Sequence, residues 1–250
     1  MLSDPRLATL LRTTTRFRKL VHVASCPSTQ DLAAAPPLDG DAAFVADHQT
    51  RGRGRQQHEW HDEPGLDLAV TFRVTVALPQ PLALPASLPL AVLQAIEPVA
   101  GRPLRLKWPN DLFLDGRKLC GVLIDAGATG RDGYLIGVGI NCNRTRFPPD
   151  LEPIATSLAL ATGRLVDRSA LLLAVAQRID ALLHQLVAGD LAPLEAQFRE
   201  RLGLLGQPVR VDLGGDQVQR GTLRHVDFVQ LTLDGDRSFP LAVVRGVRRA

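Results

Sequence analysis

The sequence has few cysteines, few aromatic residues and little excess of charge. Its three cysteines, Cys26, Cys120 and Cys142, have no Cys-x-x-Cys spacing, which argues against a disulfide scaffold or a thiolate zinc site. We expect all three to be small buried residues in a reducing cytoplasm. The formal net charge is only +3, so any anion site must be local rather than the product of a strong overall field for nucleic acid.

The sequence also has no uninterrupted hydrophobic run long enough to span a membrane. Residues 74–96 carry no charge, but Pro79, Pro81, Pro85 and Pro89 interrupt them. This stretch is expected to form a strand, a loop and a helix. The N-terminus lacks the basic, apolar and small-residue order of a signal peptide, so a cytoplasmic location is expected.

Several common enzyme signatures are absent. There is no Gly-x-Ser-x-Gly elbow and no phosphate-loop Gly-Lys-Ser/Thr, and the glycine pairs Gly52-x-Gly54 and Gly137-x-Gly139 each lack the third glycine of a dinucleotide fingerprint. The run from His58 to His61 is one residue too short for a zinc-protease helix motif. These absences exclude serine hydrolase, phosphate-loop kinase and zincin chemistry.

The 250 residues, 45% hydrophobic and 22% charged, are typical of a globular chain with one large and one small domain. Residues 66–76 alternate apolar and mostly polar side chains, which predicts a half-buried strand. An apolar stripe predicts a helix over residues 169–187 that stops at Gly189. From residue 207 short alternating strands predict a small antiparallel barrel or sandwich, so the domains are placed at residues 1–204 and 205–250.

Residues 107–121 form the stretch around which the sequence is organised. Trp108 precedes a proline and is therefore extended, and the Asp115-Gly116 pair predicts a hairpin turn before the strand that begins near Lys118. Such a hairpin would bring Lys107, Asp111 and Lys118 toward one region. By spacing alone, a surface hairpin with solvated charges fits equally well.

A second polar stretch, residues 47–60, interleaves Arg51, Arg53 and Arg55 with Gly52 and Gly54. Glycine permits close approach of the backbone, and the guanidinium fork binds carboxylate or phosphate, so this loop could enclose an anion. A solvated basic loop or an RNA contact fits the same residues.

Taken together, these motifs closely resemble the biotin protein ligase family over about residues 21–202. The resemblance is carried, in chain order, by six groups of residues: Ser28-Thr29, Gln49, Gly52-Arg53-Gly54-Arg55 with Trp60, Lys107-Trp108-Pro109-Asn110-Asp111, Lys118-Leu119-Cys120-Gly121-Val122-Leu123, and Gly137-Val138-Gly139-Ile140-Asn141. It implies an α/β (α+β) fold with a mixed sheet flanked by helices, akin to class II aminoacyl-tRNA synthetases, plus a small C-terminal SH3-like β-barrel. Family members that repress transcription have an N-terminal DNA-binding domain, which is not expected here.

The resemblance also implies an ATP-dependent ligase that makes biotinyl-5′-AMP and passes biotin to a lysine of a biotin carboxyl carrier protein. Lys118, Arg55 and Asp111 would be catalytic, with Asp111 as a candidate base. The implied biotin-binding residues are Ser28, Thr29, Gln49, Gly52, Arg53, Lys118, Gly121, Leu123, Gly137 and Gly139. The implied ATP-binding residues are Arg53, Arg55, Trp60, Asn110, Asp111, Lys118 and Asn141.

Magnesium would be held mainly by ATP phosphates and water, with Asp111 as the one candidate protein ligand. The implied partner is the carrier subunit of acetyl-CoA carboxylase, without DNA or membrane, and the chain would be a monomer or weak homodimer. Two alternatives stay open: a lipoate protein ligase, and a non-catalytic nucleic-acid binder that uses the arginine loop.

Overall fold

The computed structural model describes residues 2–35, 40–127, 130 and 132–250. The described residues of the first half of the chain contain the α-helices and strands α1 (Pro5–Thr14), β1 (Lys19–Cys26), α2 (Thr29–Ala34), β2 (Ala42–Gln49), β3 (Gly52–Arg53), β4 (Glu59–Trp60), β5 (Leu68–Thr75) and α3 (Ala83–Ala100). Those of the middle contain β6 (Arg105–Lys107), β7 (Asp111–Leu114), β8 (Arg117–Ala126), β9 (Gly133–Ile140), α4 (Leu158–Thr162), α5 (Arg168–Ala188) and α6 (Ala192–Leu202).

The C-terminal part contains five strands: β10 (Pro208–Gly214), β11 (Gln217–Val226), β12 (Gln230–Leu233), β13 (Arg237–Pro240) and β14 (Gly246–Arg249). They form one antiparallel sheet in the order β13-β12-β11-β10-β14. The predicted α/β fold with a small C-terminal β structure of the SH3-like kind is confirmed.

The large sheet has seven strands in the order β1-β2-β5-β9-β8-β7-β6. Only β1 and β2 pair in parallel, and the other neighbours are antiparallel. Helices α3 and α5 pack against each other, and their apolar side chains belong to the same buried cluster as strands β5, β8 and β9. One face of the sheet is therefore closed by helices, which leaves the opposite face to form the site.

Strand β5 is an inner strand of this sheet, between β2 and β9, and the prediction that it is half-buried is wrong. Ala69 and Thr71, on one face of the strand, are buried, and Phe72, on the other face, is buried too. The alternation of apolar and polar side chains along β5 has another origin. One face is apolar and covered by helices, and the other is more polar and lies under α2 instead of facing solvent.

The local signals at helix ends and turns are confirmed. Ser28 is the N-cap of α2, where its Oγ accepts a hydrogen bond from the Gln30 N–H at 3.2 Å. Gly189 ends α5 with a φ of +75°. Asp115 and Gly116 both have positive φ, as a two-residue hairpin turn between β7 and β8 requires.

The three cysteines are free thiols, as expected, but only two are buried. Burial raises the pKa of the Cys120 and Cys142 thiols. Cys26 is half-buried, so the expectation of a fully buried residue is wrong there. It lies at the end of edge strand β1, where the sheet has a neighbour on one side only.

The two sheets meet through aromatic side chains. The Trp108 indole packs edge-on against Phe198 with 5.7 Å between ring centroids, and Phe198 packs against Phe228 at 5.6 Å. The Trp108 Nε1–H donates to the Val244 carbonyl at 2.9 Å. Both sheets share one apolar cluster, and a division at residues 204/205 stays a prediction.

Among the described residues, α3 and α5 are long and apolar enough to cross a membrane by length and composition alone. Buried residues make up 72% of the 18-residue apolar stretch of α3 and 44% of that of α5. Both helices contribute to the protein core, and α3 contains Pro89 and Pro98.

Candidate functional site

A cavity of about 390 Å³ lies on the face of the large sheet opposite α3 and α5. Its size falls in the range of small-molecule sites in proteins. It is enclosed by the end of β2, the α2 N-terminus, strands β5, β8 and β9, the β3–β4 hairpin, the connection from β6 to β7, and strands β10 and β14 of the C-terminal sheet. Residues far apart in sequence therefore share one cavity.

The inner end of the cavity is a buried network of hydroxyl and amide groups. The Thr29 N–H donates to Gln49 Oε1 at 2.8 Å, and the Thr29 hydroxyl lies 3.1 Å from the same oxygen. Thr71 Oγ1 lies 2.9 Å from Thr29 Oγ1 and 2.8 Å from Gln30 Oε1. Because these groups lie beside a cavity, they can exchange hydrogen-bond partners with a polar ligand at a small cost in free energy.

The floor of the cavity is built from glycines in register on two neighbouring strands. Gly121 on β8 lies directly opposite Gly139 on β9, and Leu123 lies opposite Gly137. A methyl group on Gly137 would come within 2.9 Å of Gln30 Oε1. The sheet lacks side chains here so that α2 and the hairpin can approach its backbone.

Trp60 on β4 covers this glycine floor. A methyl group on Gly139 would come within 2.5 Å of Trp60 Cε2, and one on Gly121 within 3.2 Å of Trp60 Cζ3. Trp60 was predicted near adenine and Gly139 on the biotin wall, whereas the structure packs the two residues against each other. The Trp60 Nε1 atom is buried and has no acceptor among the described residues.

The β3–β4 hairpin holds its arginines in a compact turn. The Gly54 N–H donates to the His58 carbonyl at 2.8 Å, and Gln56 adopts a φ of +54°. Arg53 forms ion pairs with Asp31 of α2 at 3.0 Å and with Asp125 of β8 at 3.2 Å. The hairpin is thus tethered over the cavity by carboxylates from two different elements.

A buried ion pair fixes the chain that follows this hairpin. Arg144 and Asp67 pair in the interior, and an Arg144 Nη2–H donates to the His61 carbonyl. Burial raises the pKa of the Asp67 carboxyl, while the hydrogen bond and the charge of Arg144 oppose the rise. The hairpin is therefore anchored at its C-terminal end.

The cationic side of the cavity is centred on Lys118. Its Nζ lies 2.7 Å from Asp111 Oδ1 and 5.8 Å from the centroid of the Trp60 ring. Arg55 lines the same side; its partial burial lowers the pKa of the guanidinium, Arg245 lowers it further, and Asp111 opposes both. Lys107 also lines the cavity, with its Nζ 4.9 Å above the Phe113 ring.

The structure brings most of the predicted site residues to the cavity, but not all. The following predicted residues line it: Ser28, Thr29, Gln49, Arg53, Arg55, Trp60, Asn110, Asp111, Lys118, Gly121, Leu123, Gly137 and Gly139.

Two predicted site residues do not line the cavity. Asn141 is 4% exposed and donates through Nδ2 to the Thr156 carbonyl at 2.9 Å, which holds the chain after β9 against the segment before α4. Gly52 packs instead against the Trp60 carbonyl, which a methyl group would approach to 2.3 Å. Asn110 does line the cavity, although its Nδ2 donates to the Val122 carbonyl at 2.8 Å and ties β7 to β8.

Sequence reasoning missed two groups of lining residues. Gln30 and Thr71 belong to the inner network, but Thr71 reads as the outward residue of an alternating strand. Arg210, Arg245 and Arg248 come from the C-terminal sheet. The high density of arginine near the C-terminus was the sequence signal for these three residues. It does not reveal which face of the small sheet lies toward the cavity.

The mixed sheet with its glycine floor, followed by a small antiparallel sheet, is the biotin protein ligase fold. A family model described as the biotin/lipoate A/B protein ligase family matches residues 24–143. The structure of biotin protein ligase from Aquifex aeolicus in complex with biotin and ATP has a TM-score of 0.82 and 28% identity, covering 94% of this chain and 100% of that chain.

Two curated relatives extend the comparison. A biotin--[acetyl-CoA-carboxylase] ligase from Mycobacterium tuberculosis is 33% identical over 224 residues, covering 84% of this chain and 81% of the relative. A bifunctional ligase/repressor from Bacillus spizizenii is 34% identical over 178 residues, covering 67% of this chain and 54% of the relative. The chain belongs to the biotin/lipoate A/B protein ligase family. It spans about half the length of its bifunctional relatives.

Proposed function

We propose that this protein is a biotin--[biotin carboxyl carrier protein] ligase. It joins biotin and ATP to biotinyl-5′-AMP and pyrophosphate, then transfers the biotinyl group to one lysine of the carrier. The proposal is supported by the relatives named as biotin--[acetyl-CoA-carboxylase] ligases and by the similar structure that contains biotin and ATP.

The observation that carries the proposal is the two-ended character of the cavity. Its inner end offers amide and hydroxyl groups from Thr29, Gln49 and Thr71, which suit the ureido ring of biotin because that ring has two N–H donors and one carbonyl acceptor. Its other end offers Lys118 and Arg55, which suit a carboxylate and a phosphate. Biotin bound in this direction would point its carboxylate toward the cations.

The first step needs charge neutralisation rather than a base. A carboxylate oxygen of biotin attacks the α-phosphorus of ATP, the bond from that phosphorus to the bridging oxygen breaks, and its electron pair leaves with pyrophosphate. The carboxylate is already ionised at neutral pH, so the barrier is the approach of two anions. Lys118 would leave Asp111 to bridge them, and Arg55 would hold the phosphate.

The second step needs a neutral amine. The acceptor lysine attacks the acyl carbon of the adenylate, AMP leaves, and the nitrogen loses a proton. We assign this proton to Asp111, and the assignment is supported by its carboxylate lying 2.7 Å from Lys118 Nζ on the cationic side of the cavity. A carboxylate whose lysine partner has turned to the adenylate would have a free oxygen for this task.

Magnesium would be held mainly by the ATP phosphates and water, with Asp111 as the one candidate protein ligand. The described residues contain no cluster of three histidine, cysteine or acidic side chains that could hold a metal. The carboxylates that line the cavity, Glu59, Asp111 and Asp212, belong to separate elements. An ion carried in by the ATP phosphates fits this arrangement better than a resident ion, and no step is assigned to it.

The acceptor proposed is the biotin carboxyl carrier protein of acetyl-CoA carboxylase, as the names of the relatives suggest. We place the reaction in the cytoplasm, with the chain acting as a monomer or weak homodimer and without DNA. These parts of the proposal depend on the ligase activity itself.

Calorimetric titration with biotin, lipoate and a single-stranded RNA tests the proposal in one experiment. Biotin is expected to bind, and lipoate and RNA are not. Tight binding of lipoate would indicate the other branch of the family. Binding of RNA alone would indicate a nucleic-acid protein that uses its arginine loop.

The substitution Lys118→Ala tests the chemical role of the lysine. We expect biotin-dependent release of pyrophosphate to fall at least about a hundredfold, since one cation that offsets developing charge contributes several kcal/mol. Lys19→Ala is the matched control, because Lys19 is one of only three lysines and is exposed on β1. Release at the parent rate in Lys118→Ala would remove Lys118 from the mechanism.

A further inference from the structure

Asp62, two residues after Trp60, has a carboxylate that lies in the interior of the protein. Its side chain is 2% exposed, and both of its oxygens lie within hydrogen-bond distance of the Gln49 N–H, Oδ1 at 3.2 Å and Oδ2 at 3.1 Å. Strand β2 pairs with β5 only as far as Ala46 and Ala69, so the Gln49 N–H lies beyond the last pair. The carboxylate therefore takes the place of a neighbouring strand at the end of β2.

This carboxylate has few partners for a buried charge. Among the described residues, His48 is the only basic side chain that forms an ion pair with Asp62, and 3.5 Å separates Nδ1 from Oδ2. Asp67, in comparison, pairs with Arg144 and accepts hydrogen bonds from two backbone N–H groups. A buried charge without a close partner costs free energy. Stability therefore explains the burial of Asp67 but not that of Asp62.

The charge of Asp62 also acts on a neighbouring thiol. Cys26 is the partner of Gln49 in the parallel pair of β1 and β2. Burial raises the pKa of the Cys26 thiol, and the negative charges of Asp62 and Asp31 raise it further. The other two cysteines are buried, whereas Cys26 is half-buried. The reactivity of Cys26 can therefore report on the ionisation of Asp62.

Gln49 connects this carboxylate with the inner network of the cavity. Its Oε1 accepts a hydrogen bond from the Thr29 N–H and lies 3.1 Å from the Thr29 hydroxyl. With Oε1 held in this way, Nε2 has no hydrogen-bond partner among the described residues, and the side chain lines the cavity. The backbone position of Gln49 therefore determines where its amide N–H groups are offered to a ligand.

We propose that Asp62 is a positioning residue for biotin. Its ionised carboxylate fixes the backbone of Gln49, and through it the N–H donors that Gln49 offers to the ureido ring. Asp62 does not line the cavity, so its effect on the ligand is transmitted by Gln49. This inference rests on the proposed function.

A double-mutant cycle for biotin binding tests this role. Biotin is titrated calorimetrically into the parent, Asp62→Ala, Gln49→Ala and the double variant, and the KM for biotin gives the same ratios where binding is too weak for calorimetry. Asp62→Ala is expected to weaken binding about tenfold in the parent, because a hydrogen bond to a charged acceptor is lost. In the Gln49→Ala background the same substitution is expected to weaken binding by less than about twofold. Equal losses in the two backgrounds would overturn the proposal, since Asp62 would then act through another group.

Steady-state kinetics separates a positioning role from a general loss of folding. Asp62→Ala is expected to raise the KM for biotin about tenfold, while kcat and the KM for ATP stay within about twofold of the parent values. Asp62→Asn keeps one acceptor oxygen and is expected to recover part of the affinity for biotin. A KM for ATP that rises as much as the KM for biotin would contradict the proposal.

Alkylation of Cys26 by iodoacetamide tests whether Asp62 is ionised. Removing a neighbouring negative charge lowers the pKa of a thiol and increases its thiolate fraction. At a fixed, mildly alkaline pH, Cys26 in Asp62→Asn is therefore expected to be alkylated at least about twofold faster than in the parent. Mass spectrometry of the Cys26 peptide measures the rate. An unchanged or slower rate would show that Asp62 is not charged.

Asp41→Ala is the matched control. Asp41 precedes the other end of β2, where its Oδ1 accepts a hydrogen bond from the Thr75 N–H at 2.8 Å and its Oδ2 pairs with Arg16. Asp41→Ala is expected to lower the melting temperature but to keep the parent affinity for biotin and the parent alkylation rate of Cys26. An equal loss of biotin affinity in Asp41→Ala would overturn the assignment. Absence of biotin binding in the parent would overturn the proposed function itself, whereas the alkylation of Cys26 would still report on Asp62.

Discussion

At the scale of single residues, the shape of the cavity depends on glycines, which have no side chain. Gly121 and Gly139 leave a flat patch of backbone on which the Trp60 indole rests. Gly137 makes the same kind of room for the Gln30 amide. Neither contact tolerates a methyl group on the glycine without movement. The glycine floor therefore sets the positions of both Trp60, which forms the roof of the cavity, and the buried network at its inner end.

The substitutions Gly139→Ala and Gly121→Ala should have graded effects. A methyl at Gly139 would lie 2.5 Å from the indole, so Trp60 must move, whereas a methyl at Gly121 would lie 3.2 Å away and needs a smaller adjustment. We expect Gly139→Ala to weaken biotin binding by about 1–3 kcal/mol, as overpacking does elsewhere, and Gly121→Ala by less. Titration calorimetry measures both. Equal affinities in the two variants would show that Trp60 does not form the roof.

The glycines could be assigned to the cavity from sequence only through the family resemblance, and the contact partner of Gly139 could not be assigned at all. Trp60 reaches Gly139 because the hairpin folds back over the sheet, and no local signal encodes that path. Thr71 was missed for a related reason. A hydroxyl in an alternating strand reads as solvent-facing, yet here α2 covers that face and buries it.

At the scale of elements, the turn between β11 and β12 is organised by one carboxylate. Asp227 Oδ1 accepts hydrogen bonds from the Val229 N–H at 2.8 Å and the Gln230 N–H at 2.7 Å, and Oδ2 lies 3.0 Å from His225 Nε2. Burial alone would raise the pKa of Asp227, but these hydrogen bonds outweigh it and lower the pKa below its ordinary value. The turn therefore stabilises the C-terminal sheet most when Asp227 is ionised.

Asp227→Asn should lower stability by about 1 kcal/mol at neutral pH, since hydrogen bonds to a charged acceptor are lost. A depressed native pKa contributes stability above the ordinary carboxyl pKa of about 4, and that stability is lost as the pH falls through the native pKa. The difference between parent and variant is thus expected to be constant near neutrality and to vanish in acid. Urea unfolding at several pH values measures it.

The matched control is Asp216→Asn, in the turn between β10 and β11. Asp216 is exposed with a φ of +64°, a conformation that asparagine also tolerates. It is expected to leave stability unchanged at every pH. A gap between parent and Asp227→Asn that persists in acid would show that the carboxylate charge is not the cause.

The elements themselves were largely predictable, because caps, hairpin turns and apolar stripes are local. Ser28, Gly189 and the Asp115-Gly116 turn all have the predicted roles. What could not be predicted was which element covers which. The outward face of β10 and β14 reads as an ordinary solvated face, and only the tertiary structure directs Arg210 and Arg248 to the cavity.

At the scale of the whole molecule, the two sheets are joined through Trp108, Phe198 and Phe228. The chain of ring contacts is continuous with the core of both sheets, and the Trp108 indole nitrogen is bonded to the C-terminal part. A junction of this kind couples the unfolding of its two sides. We therefore expect the large sheet and the small sheet to melt together.

Differential scanning calorimetry should show a single transition in the parent. Trp108→Phe is expected to lower stability by about 1–3 kcal/mol, because the Val244 carbonyl loses its donor in a buried position. Trp60→Phe, which changes the other tryptophan, should weaken biotin binding and cost less stability because Trp60 is only half-buried. Two separate transitions in the parent would contradict this coupling.

The positions of the two tryptophans also make the molecule optically simple. The chain has only Trp60 and Trp108 and a single tyrosine, so nearly all of its near-ultraviolet emission comes from the cavity roof and the sheet junction. In Trp108→Phe the remaining fluorophore sits beside Lys118, where an arriving anion changes its electric field. In Trp60→Phe the remaining fluorophore is buried between the sheets. Ligand binding and global unfolding can thus be followed separately, through the intrinsic tryptophan fluorescence of these two variants and without an attached dye.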